Sequence, residues 1–191
     1  MAQPAGISST PRSVWVTFGT AFEALYLRAF ADKVTPELKA KLKAMGLNLD
    51  KLDAAYPNST WVNTLEVAGK TFFPSESPEI AYTKMGERLV ESYFETLIGI
   101  PLLAISKLLG PHRTLGRMTK NFRTSNNYTE TDLVQRGPHE YEMWVNEPGD
   151  SRYITLGVMQ HGLRLTGSPK TKIELLSADD NGARFLIKLN G

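Results

Sequence analysis

Large apolar residues recur every three or four positions from Gly19 to about Phe122, and at every second position in short segments after that. The first period belongs to helices with one buried face, the second to half-buried strands. Val14 to Phe18 alternates and predicts a short strand. Phe22, Leu25, Tyr26, Ala29 and Phe30 predict a helix within 19–33. Thr35-Pro36-Glu37 predicts a helix start: Thr35 caps free N–H groups, Pro36 suits the first helical position, and Glu37 favours the positive end. Leu38, Leu42 and Met45 form its stripe and Gly46 its stop. A further helix, capped by Asn58 or Ser59, runs to Pro74. Ser77-Pro78-Glu79 repeats the cap-and-proline device and opens the longest helix, 79–98, with Met85, Leu89, Tyr93 and Leu97 facing inward. Gly99-Ile100-Pro101 breaks it. Pro101 restarts a short apolar helix ending at Gly110, and Pro111 starts another that runs to about Phe122. The two prolines mark changes of direction in a stretch read as buried.

Beyond Asn126 the period becomes two. Residues 131–136 and 141–146 predict a hairpin through Gly137-Pro138-His139. Residues 151–166 predict a helix, and 172–177 with 184–189 a last hairpin across Asp179-Asp180-Asn181-Gly182. Helices first, then hairpin, helix, hairpin, define an α+β class: a helical N-terminal half packed on a small antiparallel sheet of two hairpins with an intervening helix. Residues 1–12, small and polar, read as a disordered tail and 13–191 as a single domain.

Composition narrows the chemistry. Of 191 residues 41% are hydrophobic, enough for one ordinary core. The absence of Cys removes disulfides, thiolate metal sites and a Cys nucleophile, and fits a reducing compartment. The N-terminus lacks the pattern of a secretory signal. The most apolar run, Leu97 to Leu109, is too short to span a bilayer and carries Lys107, so a cytoplasmic protein without a membrane span is expected.

Charge is unevenly placed. Between Thr96 and Thr129 stand Lys107, Arg113, Arg117, Lys120 and Arg123 and no Asp or Glu, which leaves the remainder of a +2 chain at −3. On one helix from Pro111, Arg113, Arg117 and Lys120 would share a face, a row able to grip phosphate or carboxylate; the alternative is a solvated face, or one paired with acids from elsewhere in the chain. The loop Thr124-Ser125-Asn126-Asn127-Tyr128-Thr129 is dense in donors and acceptors. Such loops commonly build turns from side-chain bonds to backbone; the functional reading makes it a recognition loop with Tyr128 as a lid. His112, His139 and His161 lack neighbours at metal spacing, so no metal is expected. Glu87, Glu91 and Glu95 read as a solvated stripe. No nucleophile elbow, phosphate loop or dinucleotide fingerprint occurs, and the near-neutral total argues against nucleic acid as a partner.

Three segments carry a resemblance: Gly86-Glu87-Arg88-Leu89-Val90-Glu91-Ser92-Tyr93; Leu109-Gly110-Pro111-His112-Arg113 continuing from Arg117 through Thr129; and Met143-Trp144-Val145-Asn146-Glu147. Together they resemble a paralogous family expanded in myxobacteria, a domain of unknown function known as DUF2378. The likeness covers most of the chain after residue 12 and implies no particular activity. At the level of fold the chain resembles the group containing haem nitric-oxide-binding (H-NOX) domains, vinyl-reductase-type effector domains and TRAPP-like assembly subunits. Members of that group bind haem, small aromatic effectors or acyl chains, or act in assembly; fold likeness by itself does not transfer function. The haem branch requires a proximal His on a helix and a Tyr-x-Ser-x-Arg motif. Residues Arg117 to Phe122 include no His and the motif is absent, so no cofactor, haem included, is expected.

The sequence thus leads to a non-catalytic small-molecule-binding or signalling domain. An apolar pocket between the longest helix and the sheet would be rimmed by Arg113, Arg117, Lys120, Arg123, Asn126, Asn127 and Tyr128, with Trp144 and Tyr93 as walls. Arg117 and Arg123 would hold the head of an anionic or amphipathic small molecule. The alternative is a protein-interaction module such as a homodimer, and the third reading an enzyme of unnamed class.

Overall fold

The computed structural model describes residues 10–95 and 99–189. The expectations placed on the tail at 1–9 and on Leu97 lie outside them. A short strand β1 (Val16–Phe18) opens the chain and pairs antiparallel with β2 (Ala55–Pro57). Between them lies α1 (Gly19–Phe22), which widens into a π-helical stretch over Glu23–Ala29. Its signature is the i→i+5 bond from Phe30 N to Leu25 O, 3.1 Å. Helix α2 (Pro36–Ala44) begins as the sequence predicts: Leu38 N donates to Thr35 Oγ1 at 3.2 Å.

Helix α3 (Asn58–Phe72) corrects one detail. Asn58 does not cap it; the Asn58 Oδ1 instead accepts from Thr17 Oγ1 at 3.2 Å and ties the helix to β1. Ser77 does cap α4 (Pro78–Phe94) through Ile80 N, 3.4 Å. Helix α5 (Gly99–Leu115) is interrupted at Gly110, whose φ of 74° is a left-handed conformation that glycine takes without strain. A turn at Gly116 and Arg117 separates it from α6 (Met118–Phe122). Arg113 and Lys120 therefore lie on different helices, and the single basic helix face expected from the sequence is not formed. Nor is the stretch around Pro101 buried: α5 exposes Ile100, Ile105 and Leu108.

The remaining elements are β3 (Thr131–Gly137), β4 (Glu140–Val145), α7 (Arg152–Leu165), β5 (Lys172–Asp179) and β6 (Gly182–Lys188). The two hairpins join through β4 and β6 into one antiparallel sheet ordered β3-β4-β6-β5. Both outer strands carry a register shift, at Gln135/Gly137 and at Leu175/Ser177. Alternate residues Tyr141, Met143 and Val145 on β4, with Ala183, Phe185 and Ile187 on β6, point into a core shared with Leu115, Met159 and Leu163. A second core gathers Phe22, Leu25, Tyr26, Leu42, Leu65 and Met85 among the N-terminal helices.

Helix α7 belongs to both cores, through Ile154 on one side and Met159 and Leu163 on the other. It packs directly on α4 because two glycines face the contact. A β-carbon at Gly86 would overlap the carbonyl of Ile154, and one at Gly157 the carbonyl of Thr83. This backbone-to-backbone approach fixes the helical half against the sheet half.

Candidate functional site

The predicted basic residues separate into two groups. Arg113, Arg117 and Lys120 are exposed, and among the described residues no ion pair engages them or Lys107. Arg123 is committed: its Nε donates to Thr129 O at 2.9 Å and its Nη2 lies 3.4 Å from Glu130 Oε1. Glu130 lies one residue beyond the acid-free window, which is why the window count does not reveal the pairing.

The loop after α6 is a joint. Asn126 is buried, and its Oδ1 accepts from the backbone N–H groups of Tyr128 and Thr129 at 3.1 and 2.8 Å. Asn127 splices the loop to the N-terminal strand: its Oδ1 accepts from Val16 N at 2.9 Å and its Nδ2 donates to Val14 O at 2.9 Å. Tyr128 is no lid. It is buried, stacked on Trp15 with ring centroids 4.3 Å apart and planes 10° from parallel. Offset stacking of this kind adds about 1 kcal/mol to the area that the rings bury. Trp144 is buried on β4, and Tyr93 sits exposed near the end of α4 with its ring 5.7 Å from Phe94.

The same joint holds a residue that the sequence reading passes over. Glu147 is buried just beyond β4, and its Oε1 accepts from Ser151 Oγ at 2.8 Å. Burial pushes its carboxyl up to about 7, against the lowering effect of hydrogen bonds from Ser151 and Tyr128. Burial likewise drives the Tyr128 hydroxyl well above its ordinary value, helped by the Glu147 charge. The available signal is a carboxylate two residues beyond a strand whose inward positions are all large and apolar.

A cleft opens on the opposite side of α4. It is open to solvent and spans about 450 Å³ between the π-helical stretch, α4 and α7, with Phe30, Phe73 and His161 on its walls beside the cations Lys33, Lys84 and Arg88 and the acids Asp32, Glu87 and Glu91. Phe30 stacks on Phe72 and meets Phe73 edge-on, at 4.5 and 5.9 Å. Lys33 Nζ stands 4.8 Å from the centre of the Phe73 ring, and Lys84 Nζ 5.6 Å from it. Arg88 Nε donates to Ala29 O at 3.2 Å, which pins α4 to the π-helical stretch. The Nε2 of His161 is buried and has no hydrogen-bond partner. Glu87, expected as part of a solvated stripe, lies on this wall and pairs with Arg164 at 3.6 Å.

Solved structures place this architecture. An Fe(II) unliganded H-NOX protein from K. algicida superposes with a TM-score of 0.67 at 18% identity, over 91% of this chain and 97% of that one. An H-NOX protein solved for insight into H-NOX activation gives 0.59 at 14% identity, over 91% and 92%. Another, from work on haem distortion in the H-NOX family, gives 0.56 at 14%, over 91% and 95%. The fold is that of an H-NOX domain. The family model for a protein of unknown function, DUF2378, matches residues 15–188, and the chain belongs to that family. No curated protein sequence matches it.

These neighbours correct the expectation of no cofactor. Two of the solved proteins that share the fold are haem proteins by their own titles, which overturns an expectation drawn from the missing helical His and Tyr-x-Ser-x-Arg motif.

Proposed function

We propose that this chain is a non-catalytic regulatory domain that binds a small molecule in the cleft beside His161. One observation carries the reading: His161 lines an open cleft in a chain with the H-NOX fold, and its Nε2 is buried without a partner. A buried polar atom left unsatisfied costs about 1–3 kcal/mol, and a ligand that engages it removes that cost.

The aromatic rings and the imidazole present suit a flat ring compound, the class to which haem belongs. An imidazole nitrogen is an established haem-iron ligand, and His161 would hold the iron. Phe30 and Phe73 offer aromatic surface and Lys33 a cation for a carboxylate, whereas Lys84 and Arg88 are already paired with Glu76 and Glu91. Lys33 has no acidic partner among the described residues; it donates to Phe72 O at 3.1 Å. Bound haem supplies an iron centre able to take a further small ligand. The chain's own part is to seat the ring and to transmit occupancy along α4 and α7, whose glycine contact couples the cleft to the sheet.

Titration of the purified protein with haemin, followed by visible absorbance, tests this. The wild type is expected to develop a saturable Soret band, and His161→Ala to lose or displace it while retaining its circular dichroism spectrum. An identical titration for the two proteins refutes the assignment of His161, and no saturable band in the wild type refutes haem.

A further inference from the structure

We infer that α5 and the basic turn after it form a docking surface for an anionic lipid bilayer, on which the protein lies without crossing it. At about 100° per residue, Ile100, Pro101, Ala104, Ile105 and Leu108 fall within an arc of about 140° on one side of α5. That side faces solvent: Ile100, Ile105 and Leu108 are 56%, 49% and 88% exposed. The inward side, Leu102, Leu103 and Leu109, is apolar as well and half-buried. Large apolar side chains on both sides of a helix call for cover on both, and the fold covers only one side of this one.

The charge around the stripe identifies what covers the other. Lys107 flanks it on α5, and Arg113, Arg117 and Lys120 follow directly beyond the break at Gly110. All four are exposed, none is in an ion pair with a described residue, and the chain from 96 to 129 has no acid to neutralise them. An exposed apolar stripe with unpaired cations beside it and following it in the chain suits anionic headgroups and the acyl boundary beneath them. A second copy is disfavoured by the same charges, since a two-fold contact would set each cation against its like. No single helix among the described residues is long and apolar enough to cross a membrane, and the exposed stripe runs along the side of α5, which suits a helix lying in the surface plane.

Sedimentation of the full chain with vesicles tests the inference, using phosphatidylcholine alone and phosphatidylcholine mixed with phosphatidylserine. The wild type is expected to pellet with the mixed vesicles and to be released by salt. Each basic residue near an anionic surface contributes about fivefold, so Arg113→Ala/Arg117→Ala/Lys120→Ala lowers the partition coefficient on the order of 100-fold. Leu108→Glu, at a position with little to unpack, abolishes pelleting with no change in melting temperature. Three outcomes overturn the inference: wild type left in the supernatant with mixed vesicles, equal pelleting on neutral and anionic vesicles, or a Leu108→Glu variant that pellets like the wild type. A concentration-dependent mass in the absence of lipid that Leu108→Glu removes, with no vesicle binding, assigns the stripe to a second copy and likewise overturns it.

Discussion

Replacing Glu147 with Gln is expected to raise stability at neutral pH and to flatten its pH dependence. The carboxyl sits in the joint between β4 and α7, where its Oε1 accepts from Ser151 Oγ at 2.8 Å and Tyr128 supplies a further hydrogen bond. Burial raises its pKa from 4.5 to about 7. At about 1.4 kcal/mol per pH unit, that rise corresponds to about 3 kcal/mol between the protonated and ionised fold. The folded state prefers the protonated acid, whereas the unfolded chain ionises near the ordinary value. The stabilising contribution is therefore complete below about pH 4.5, declines as pH rises through about 7, and is absent above that. Carboxyls held low, such as Asp50 under its hydrogen bond from Lys39, act in the opposite sense and only at lower pH. Glutamine keeps the shape and an acceptor oxygen but cannot ionise. Urea unfolding of both proteins from about pH 5 to about pH 8 measures the difference. The wild type should lose about 3 kcal/mol across that range and the Glu147→Gln variant much less, so that the two converge near pH 5. Parallel profiles over the whole range would refute the reasoning, because they would mean that the carboxyl titrates alike in both states.

Gly157→Ala places a methyl group against the Thr83 carbonyl and forces α4 from α7; a loss of about 1–3 kcal/mol is expected, read as a lower thermal midpoint. An unchanged midpoint would show that the helices separate freely. Thr35→Ala removes the acceptor for Leu38 N and should cost about 1 kcal/mol in urea unfolding, with Thr35→Ser recovering most of it.

Local signals in the sequence are legible because local physics decides them. Thr35 and Ser77 cap their helices ahead of a proline, Gly110 turns the chain before Pro111, and both hairpins form where the period becomes two. Strand β2 is not legible: three residues, Ala55 to Pro57, show no alternation, and only pairing with β1 makes them a strand. The partners of the candidate loop are hidden for the same reason. Asn127 bonds to Val16, 111 residues away, and Tyr128 stacks on Trp15. Composition shows that such side chains need partners and not which ones they find. The apolar run in α5 reads as interior because periodicity cannot distinguish a buried apolar face from an exposed one. His161 looks solitary along the chain, and the residues that share its cleft, Phe30 and Phe73, come from other elements.

The register shifts in β3 and β5 have a consequence for the protein in a crowded cell. Each falls on a border strand, at Gln135/Gly137 and Leu175/Ser177. A foreign strand approaching either border meets amide and carbonyl groups out of step with its own, and the local twist of the bulge turns them aside. The four-stranded sheet thus ends where it should, guarded against growing into a fibril even when Val134 and Leu176 lie bare beside its margins.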